Sequence, residues 1–337
     1  MWCLISNPHS ENILEVRPIP KGTNGHATLN SVTGLYHGRR GSAMVWIAPV
    51  CAVVAVGFQP DPAALVPLYR QALAERERQY GPRHPKTARS ASDLGLFLRA
   101  QGDLANAAPL LRRALEIDEL ALGPEHAVTG ADVENLASVL PPSEALPLYR
   151  RAAGHPDAAI AARNLTRLAA VEKSPALYRK ALAKEEEASG ANHPRVAVRL
   201  NDLALALDLK EAEPLLRRAR AIQEKALGVK HPETAVTWSN LANVLLATGR
   251  LAEAETMQRR ALAALENALD SEHPRVATSA SNLADVLRAK RDFAGARRYY
   301  QKALTIDEKV YGPNHPEVAA DRENLASLLE EIKAAGK

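Results

Sequence analysis

The stretch that decides the fold is His231-Pro232-Glu233-Thr234, followed by Asn240-Leu241-Ala242 and then by Gly249. A His-Pro pair returns at His273 and once more at His315, and both intervals are 42 residues. A fixed period in this range is typical of chains that stack one supersecondary unit repeatedly. The sequence therefore predicts a solenoid, in which each unit contacts only its neighbours.

The same marker can be followed upstream, with shorter intervals in the middle of the chain. The seven marker histidines are His84, His126, His155, His193, His231, His273 and His315. A leucine stands ten residues after every one of them. An alanine stands 30 residues after the histidine in the 42-residue repeats and 26 residues after it in the others. Because both anchors survive, we expect the short repeats to have lost residues at their turns and not in their packing faces.

Each repeat is predicted to fold as two helices, called first-type and second-type below. Leu241, Val244 and Leu245 have the i, i+3, i+4 spacing of one helix face, and Gly249 marks the usual left-handed stop. The second-type helix has an apolar face of its own, made of Leu251, Ala254, Ala261, Leu262, Leu265 and Leu269. A lone second-type helix before the first marker, six pairs, and a first-type helix after the last marker give 14 predicted helices.

These motifs resemble the tetratricopeptide repeat, in the long variety found in kinesin light chains. In one repeat the resemblance rests on Asn240-Leu241-Ala242, Gly249, Ala254, Arg260-Ala261-Leu262 and the joint Gly228-Val229-Lys230-His231-Pro232. It covers about residues 62 to 334, with Arg291 where the turn glycine is expected. The resemblance implies an all-α fold, an α-solenoid that winds as a right-handed superhelix of helix–turn–helix repeats.

The segment before the repeats needs a separate interpretation. Residues 1–41 show little periodicity and are predicted to be disordered. Residues 42–58 are mostly apolar, and their length and the Ala55-Val56-Gly57 motif fit an export signal or anchor, which would place the protein outside the cytoplasm or at a membrane. Alternatively, they form a degenerate first helix of the solenoid, because Ser42 lies 42 residues before His84.

Composition narrows the classes of function. The formal charge is +4 with a pI near 9.0, and both signs are interspersed, unlike the clustered basic face of a nucleic-acid-binding protein. Cys3 and Cys51 lie outside the repeats, so we expect no disulfide framework or thiolate cluster within them. The marker histidines occur once per repeat, roughly 8–10 Å apart, whereas zinc ligands converge to about 2 Å from one ion. We therefore expect them to close helix joints, and we predict no metal, no cofactor and no enzymatic activity.

A second ladder is a better functional candidate. Nine residues after each marker stands an Asp or Asn: Asp93, Asn135, Asn164, Asp202, Asn240, Asn282 and Asn324. Since Asn is a mediocre helix former, these residues inside helices need a reason. Either they fix the packing between helices through hydrogen bonds, or they form a row of amides along the inner groove.

The family resemblance implies the second use, because first-helix residues at this position line the concave groove of tetratricopeptide repeat proteins and bind peptides. Carried over to this chain, it implies partner-binding roles for Asn135, Asn164, Asn240, Asn282 and Asn324. The neighbouring groove positions are Arg163, Arg167, Asn201 and Asn243. The two arginines form a local basic spot suited to a carboxylate of a partner.

The sequence thus predicts a non-catalytic protein-interaction scaffold that binds a protein or peptide ligand, as an extended peptide or a partner helix, in its groove. Two alternatives stay open. The chain is a structural or assembly subunit of a larger, envelope-associated complex, or it is a regulatory repeat fragment of a larger signalling protein. Nucleic acid is not an expected partner, and membrane contact is expected only if residues 42–58 act as an anchor. The Ala-, Arg- and Leu-rich composition is typical of a bacterium with a GC-rich genome.

Overall fold

The computed structural model describes residues 62–335, which form 14 α-helices and no strand. The helices are α1 (Pro62–Tyr80), α2 (Pro85–Ala100), α3 (Leu104–Leu122), α4 (Ala127–Ala137), α5 (Pro142–Ala153), α6 (Ala158–Glu172), α7 (Pro175–Ser189), α8 (Pro194–Ala204), α9 (Leu209–Ala226), α10 (Pro232–Ala247), α11 (Leu251–Ala268), α12 (Pro274–Ala289), α13 (Phe293–Tyr311) and α14 (Pro316–Ala335). Even numbers are first-type helices and odd numbers are second-type. The predicted class and helix number are confirmed, while the interpretations of residues 1–41 and 42–58 lie outside the described residues.

The marker histidines close the joints between consecutive helices. In all seven, the imidazole Nδ1 accepts a hydrogen bond from the backbone N–H two residues further on, at 3.0–3.2 Å. This satisfies a helix N–H that has no partner inside the first turn. Where a proline follows the histidine, its fixed φ suits the first helical position. The histidines therefore have the structural role expected from their spacing.

The two anchors of the sequence register lie in the core between the two helix layers. The alanines are buried in all six repeats: Ala114, Ala152, Ala181, Ala219, Ala261 and Ala303. The leucines are buried in the first six first-type helices: Leu94, Leu136, Leu165, Leu203, Leu241 and Leu283. Leu325 is only half-buried because α14 is the last described helix. Small and large side chains thus alternate across the contact, which lets neighbouring helices approach closely.

The short repeats differ from the expectation that only turns are trimmed. Helices α4 and α8 have 11 residues each, whereas α2, α10 and α12 have 16. Helix α5 has 12 residues, whereas α3 has 19. The missing residues therefore come largely from helix ends. A helix end can be lost without opening the core because the buried anchors lie nearer the middle of each helix.

The turn inside each repeat requires a left-handed residue. Gly249 has φ +77°, and the N–H of Arg250 returns to the Leu245 carbonyl at 2.9 Å. Arg291 occupies the same place in the next repeat with φ +63°, and the following N–H again returns to a helix carbonyl at 2.9 Å. An arginine in this conformation carries steric strain between Cβ and the backbone that glycine avoids.

Arg291→Gly is expected to raise the free energy of unfolding by about 1 kcal/mol, because the turn geometry stays and the strain disappears. Urea denaturation followed by far-UV circular dichroism measures the change. The matched control is Arg297→Gly on the exposed face of α13, which should instead lose about 1 kcal/mol through poor helix propensity. A loss of stability in both variants would contradict the assignment of strain to Arg291.

No helix between residues 62 and 335 combines the length and apolar character needed to cross a membrane.

Candidate partner-binding surface

The first-type helices lie side by side and present one continuous strip of side chains. Helix α4 contacts α6 and α10 contacts α12 directly. On most of these helices the positions five, nine and twelve residues after the marker histidine are partly or fully exposed, and we call this row the open stripe. Its members are Arg89, Asp93 and Leu96; Ala131, Asn135 and Ser138; Val198, Asp202 and Leu205; Val236, Asn240 and Asn243; Thr278, Asn282 and Asp285; and Ala320, Asn324 and Ser327.

Hydrogen bonds join the stripe from one repeat to the next. Asn240 Nδ2 donates to Asn201 Oδ1 at 3.0 Å, and Asn282 Nδ2 donates to Ser239 Oγ at 3.1 Å. Near the C-terminal end, Arg288 Nη2 donates to Ser327 Oγ at 2.8 Å. Part of the Asn ladder therefore fixes the packing of neighbouring repeats, which is the first of the two uses considered for it.

Asn164 departs from the ladder. Its side chain is fully buried on α6, and Nδ2 donates to the Ile160 carbonyl of its own helix at 2.9 Å. In its place Arg163 and Arg167 face outward on this helix. Helix α6 follows the 29-residue repeat, and its outward face is displaced by about one residue relative to the other first-type helices. Asn164 is thus a packing residue in this conformation and lies out of reach of a ligand.

Asn201 is also committed to packing. It is 7% exposed, its Nδ2 donates to the Ala197 carbonyl at 2.9 Å and to Thr237 Oγ1 at 2.7 Å, and its Oδ1 receives the amide of Asn240. All of its strong hydrogen-bonding atoms except one acceptor lone pair are therefore used inside the array. Asn135 and Asn324, by contrast, are half-buried and their side chains make no hydrogen bond within residues 62–335.

The basic spot predicted on α6 is largely neutralised. Arg163 Nε lies 2.9 Å from one oxygen of Glu134 on α4, and Arg167 Nε lies 3.8 Å from the other. The Glu134 side chain is 16% exposed. A carboxylate of a partner would have to compete with Glu134 for the two guanidinium groups.

Carboxylates on the stripe are held in mixed surroundings. Burial raises the pKa of Asp93 and of Asp202, and the neighbouring Arg89 and Arg199 oppose this rise by favouring the charged forms. The ion pairs are Arg89 Nε to Asp93 Oδ1 at 3.1 Å and Arg199 Nη1 to Asp202 Oδ2 at 2.9 Å. These two stripe positions therefore differ from Asn because they only accept hydrogen bonds when ionised.

Comparison with known proteins identifies the repeats. The family model for the tetratricopeptide repeat matches residues 61–120, 206–267 and 275–335, which is more than half of the chain. The chain belongs to the tetratricopeptide repeat family. This confirms the predicted resemblance, and the unmatched section contains the short repeats. A comparison with curated proteins gave no match.

Solved structures of tetratricopeptide repeats resemble this chain at low identity. Repeats attributed to a kinesin light chain of Podosopora anserina are 23% identical over 68% of this chain and 98% of that one, with a TM-score of 0.38. BtubC of P. vanneervenii is 20% identical over 77% and 95%, with a TM-score of 0.43. The Cut9–Hcn1 hetero-tetramer of the APC/C is 15% identical over 83% and 51%, with a TM-score of 0.53. The last likeness concerns the fold alone, and no partner of this tetratricopeptide repeat chain follows from any of them.

Two residues that support the stripe come from second-type helices and were not predicted. Gln258 is fully buried on α11, its Nε2 donates to Asn243 Oδ1 at 3.0 Å, and its Oε1 accepts from Ser239 Oγ at 3.0 Å. Tyr300, 42 residues later on α13, is also fully buried and donates its hydroxyl to Asp285. Both lie 27 residues after a marker histidine. A polar residue where the helix pattern expects an apolar one was the signal that could have revealed them.

The histidine ladder does not assemble a metal site. Within residues 62–335 no group of three His, Cys, Asp or Glu side chains is arranged to hold a metal ion. Each Nδ1 lone pair already receives a backbone N–H, so this nitrogen is occupied.

Proposed function

We propose that this tetratricopeptide repeat chain is a non-catalytic scaffold that binds an extended peptide segment of a partner protein along the open stripe of α8, α10 and α12. The observation that carries the proposal is the row of partly exposed amide and carboxylate groups on these three helices. Family membership supports the coarser part of the proposal, a protein–protein interaction scaffold. The stripe supplies hydrogen-bond donors and acceptors, which suffice for recognition without bond-making chemistry.

The amides keep hydrogen-bonding capacity after their structural bonds are made. Asn240 and Asn282 each use one N–H for the neighbouring repeat, which leaves one N–H and the side-chain oxygen. Asn243 is exposed, and its amide N–H groups are not used within the described residues. A side-chain amide with a free donor and acceptor can pair with a peptide backbone unit, which also has one of each.

The spacing of the helices suits an extended chain. Packed helices lie roughly 8–10 Å apart, and an extended peptide rises about 3.3 Å per residue. One amide group would therefore meet every third residue of the ligand. The intervening ligand side chains would lie against Val198, Leu205 and Val236, of which Leu205 is 72% exposed. We propose backbone recognition by the amides, with apolar ligand side chains between them.

The proposal leaves out four of the positions that the family resemblance implied. Asn164 and Asn201 are engaged in packing, and Arg163 and Arg167 are paired with Glu134. Asn135 and Asn324 have the required free amides but lie toward the two ends of the stripe. They extend the proposed surface if the ligand is long enough.

The test is the double variant Asn240→Ala/Asn282→Ala in the full chain, used as bait in a native lysate. Each lost amide bond is worth about 1 kcal/mol, so the captured partner should bind about tenfold or more weakly. Affinity for the purified partner is then measured by titration calorimetry. Because both amides also link repeats, thermal unfolding is recorded and binding is compared only at temperatures where both proteins are folded.

A matched control has the same chemistry on the other helix layer. Asn267→Ala/Gln301→Ala removes two exposed amides from the second-type helices α11 and α13. This control should retain the partner at full affinity. Equal binding by the stripe variant and the control would reject the stripe as the contact surface and favour association through other edges, as in an assembly subunit.

A further inference from the structure

A polar pair recurs at the joint between a second-type helix and the following first-type helix. The residue eight positions before the marker histidine faces the residue six positions after it. Four joints have polar residues at both positions: Asp118 and Asp132, Glu185 and Arg199, Gln223 and Thr237, and Asp307 and Asp321. Seven of these eight side chains are buried, and Arg199 is 14% exposed. The register thus places a specific interaction in the core of each of these joints.

Two of the four joints are chemically complementary. Arg199 Nε lies 3.6 Å from Glu185 Oε2, which is an ion pair. The Thr237 hydroxyl donates to Gln223 Oε1, which is a neutral hydrogen bond. In both cases a donor from one helix meets an acceptor from the other. These joints can close at any ordinary pH.

The other two joints bring two carboxyl groups together. Asp118 of α3 and Asp132 of α4 are 3% and 5% exposed, and Asp307 of α13 and Asp321 of α14 are 7% and 6% exposed. The members of each pair are within hydrogen-bonding reach of each other. One oxygen of each of the four carboxyls has no donor within residues 62–335. Two ionised carboxylates in this geometry repel each other and are poorly solvated, whereas one shared proton turns the contact into a hydrogen bond.

Few groups around the α3–α4 pair can compensate for a second negative charge. The Ser92 hydroxyl of α2 donates to Asp132 Oδ1 at 3.4 Å. The Arg89 guanidinium acts on Asp132 through space but is paired with Asp93, and His126 at the joint acts on Asp118. The adjacent Glu119 is paired with Arg151 of α5.

The α13–α14 pair is still less compensated. Glu317 of α14 adds a third negative charge nearby, and His315 at the joint is the facing group that favours ionisation. The neighbouring Glu308 is paired with Arg322, so this guanidinium is already engaged. Helix α14 is the last described helix and packs chiefly against α13. Its attachment therefore depends on a joint whose two acids face each other.

We propose that the α3–α4 and α13–α14 joints are proton-dependent clasps, which hold while each carboxyl pair shares one proton and loosen when both carboxyls are ionised. The clasps act at defined repeats, because the two complementary joints lack this property. A loosened α13–α14 joint would shift Asn324, which lies three residues after Asp321 on the same helix. The pH would then adjust the end of the open stripe without changing its central members.

The direction of the pH effect follows from burial. Burial and the facing Asp118 raise the pKa of Asp132 to about 7, and burial and the facing Asp307 raise the pKa of Asp321 to about 6. The unfolded chain releases these protons near the ordinary Asp pKa of about 3.9. A raised folded-state pKa contributes stability that is full below about pH 4 and is lost as the pH rises through about 6 to 7. The two joints should therefore be tighter at pH 5.5 than at pH 8.

The test compares thermal unfolding of the full chain at pH 5.5 and pH 8 at constant ionic strength. The parent protein should lose several degrees of midpoint temperature at the higher pH. In Asp132→Asn/Asp321→Asn an amide permanently supplies the missing donor. This variant should gain stability at pH 8 and lose most of the pH dependence. Hydrogen exchange of α4 and α14, corrected for the intrinsic rate, should show the same pattern locally.

The matched control is Glu116→Gln/Glu323→Gln, which removes two exposed carboxylates from α3 and α14. It should keep the pH dependence of the parent. If the first Asn variant folds poorly, Asp118→Asn/Asp307→Asn tests the same joints from the partner helices. Undiminished pH dependence in the folded Asn variant, or faster exchange of α14 at pH 5.5 than at pH 8, would overturn the proposal.

Discussion

Arg199→Met is expected to lower the free energy of unfolding by about 3–5 kcal/mol, because it strands a buried carboxylate. Glu185 on α7 is fully buried, and its Oε2 lies 3.6 Å from Arg199 Nε on α8. The same guanidinium donates to Thr166 on α6 at 2.9 Å and to Asp202 at 2.9 Å. One side chain therefore links three consecutive helices, and methionine replaces its length without its charge. Urea denaturation followed by far-UV circular dichroism gives the loss.

The double variant Glu185→Leu/Arg199→Met separates charge from packing. When both members of a buried pair become apolar, the uncompensated charge disappears, and most of the stability should return. Lys184→Met is the surface control, because its pair with Glu187 is well exposed and worth at most about 1 kcal/mol. A loss from Arg199→Met no larger than that of the control would show that the Glu185 charge is compensated by other means.

The fold was predictable because the packing of a solenoid is local. Each helix contacts its neighbours in the chain, so a leucine and an alanine at fixed distances from each marker specify the core repeatedly. Even the left-handed turn can be located at Arg291, where the register requires a glycine conformation and the residue type does not supply one. An error in one repeat is corrected by the register of the others.

The orientation of α6 was not predictable in the same way. Its sequence keeps the ladder residue Asn164 in register, yet this side chain is buried and Arg163 faces outward. The reason lies in α5, whose seven missing residues relative to α3 change the support on which α6 packs. Register counting assumes that each first-type helix has the same neighbours, and this assumption fails beside the shortest repeat.

The polar residues that support the stripe and the joints were missed for another reason. Gln258, Tyr300 and the carboxyl pairs occupy core positions at constant offsets from the markers, so their positions could be counted. Their partners could not, because hydrogen bonds across helices depend on the direction of each side chain. The sequence thus indicates where a buried polar group exists and the structure shows what satisfies it.

Trp238→Ala is expected to lower the free energy of unfolding by about 3–5 kcal/mol through loss of buried area and the cavity left behind. The indole on α10 is 3% exposed and belongs to the same buried cluster as Ala261 of α11 and Val276 and Ala280 of α12. Its Nε1 also donates to Glu224 Oε1 of α9 at 2.8 Å. The side chain therefore joins the helices before and after its own repeat, and small alanines around it cannot fill the space.

Because each repeat is stabilised by its immediate neighbours, weakening this interface should also reduce cooperativity along the array. We expect urea unfolding of Trp238→Ala to show two transitions, with α12–α14 losing protection from hydrogen exchange before α2–α9. Trp238→Phe is the matched control, since it keeps most of the volume, removes only the N–H bond to Glu224, and should retain one transition. A single transition in the alanine variant, shifted no more than in the phenylalanine variant, would show that other contacts couple the two halves.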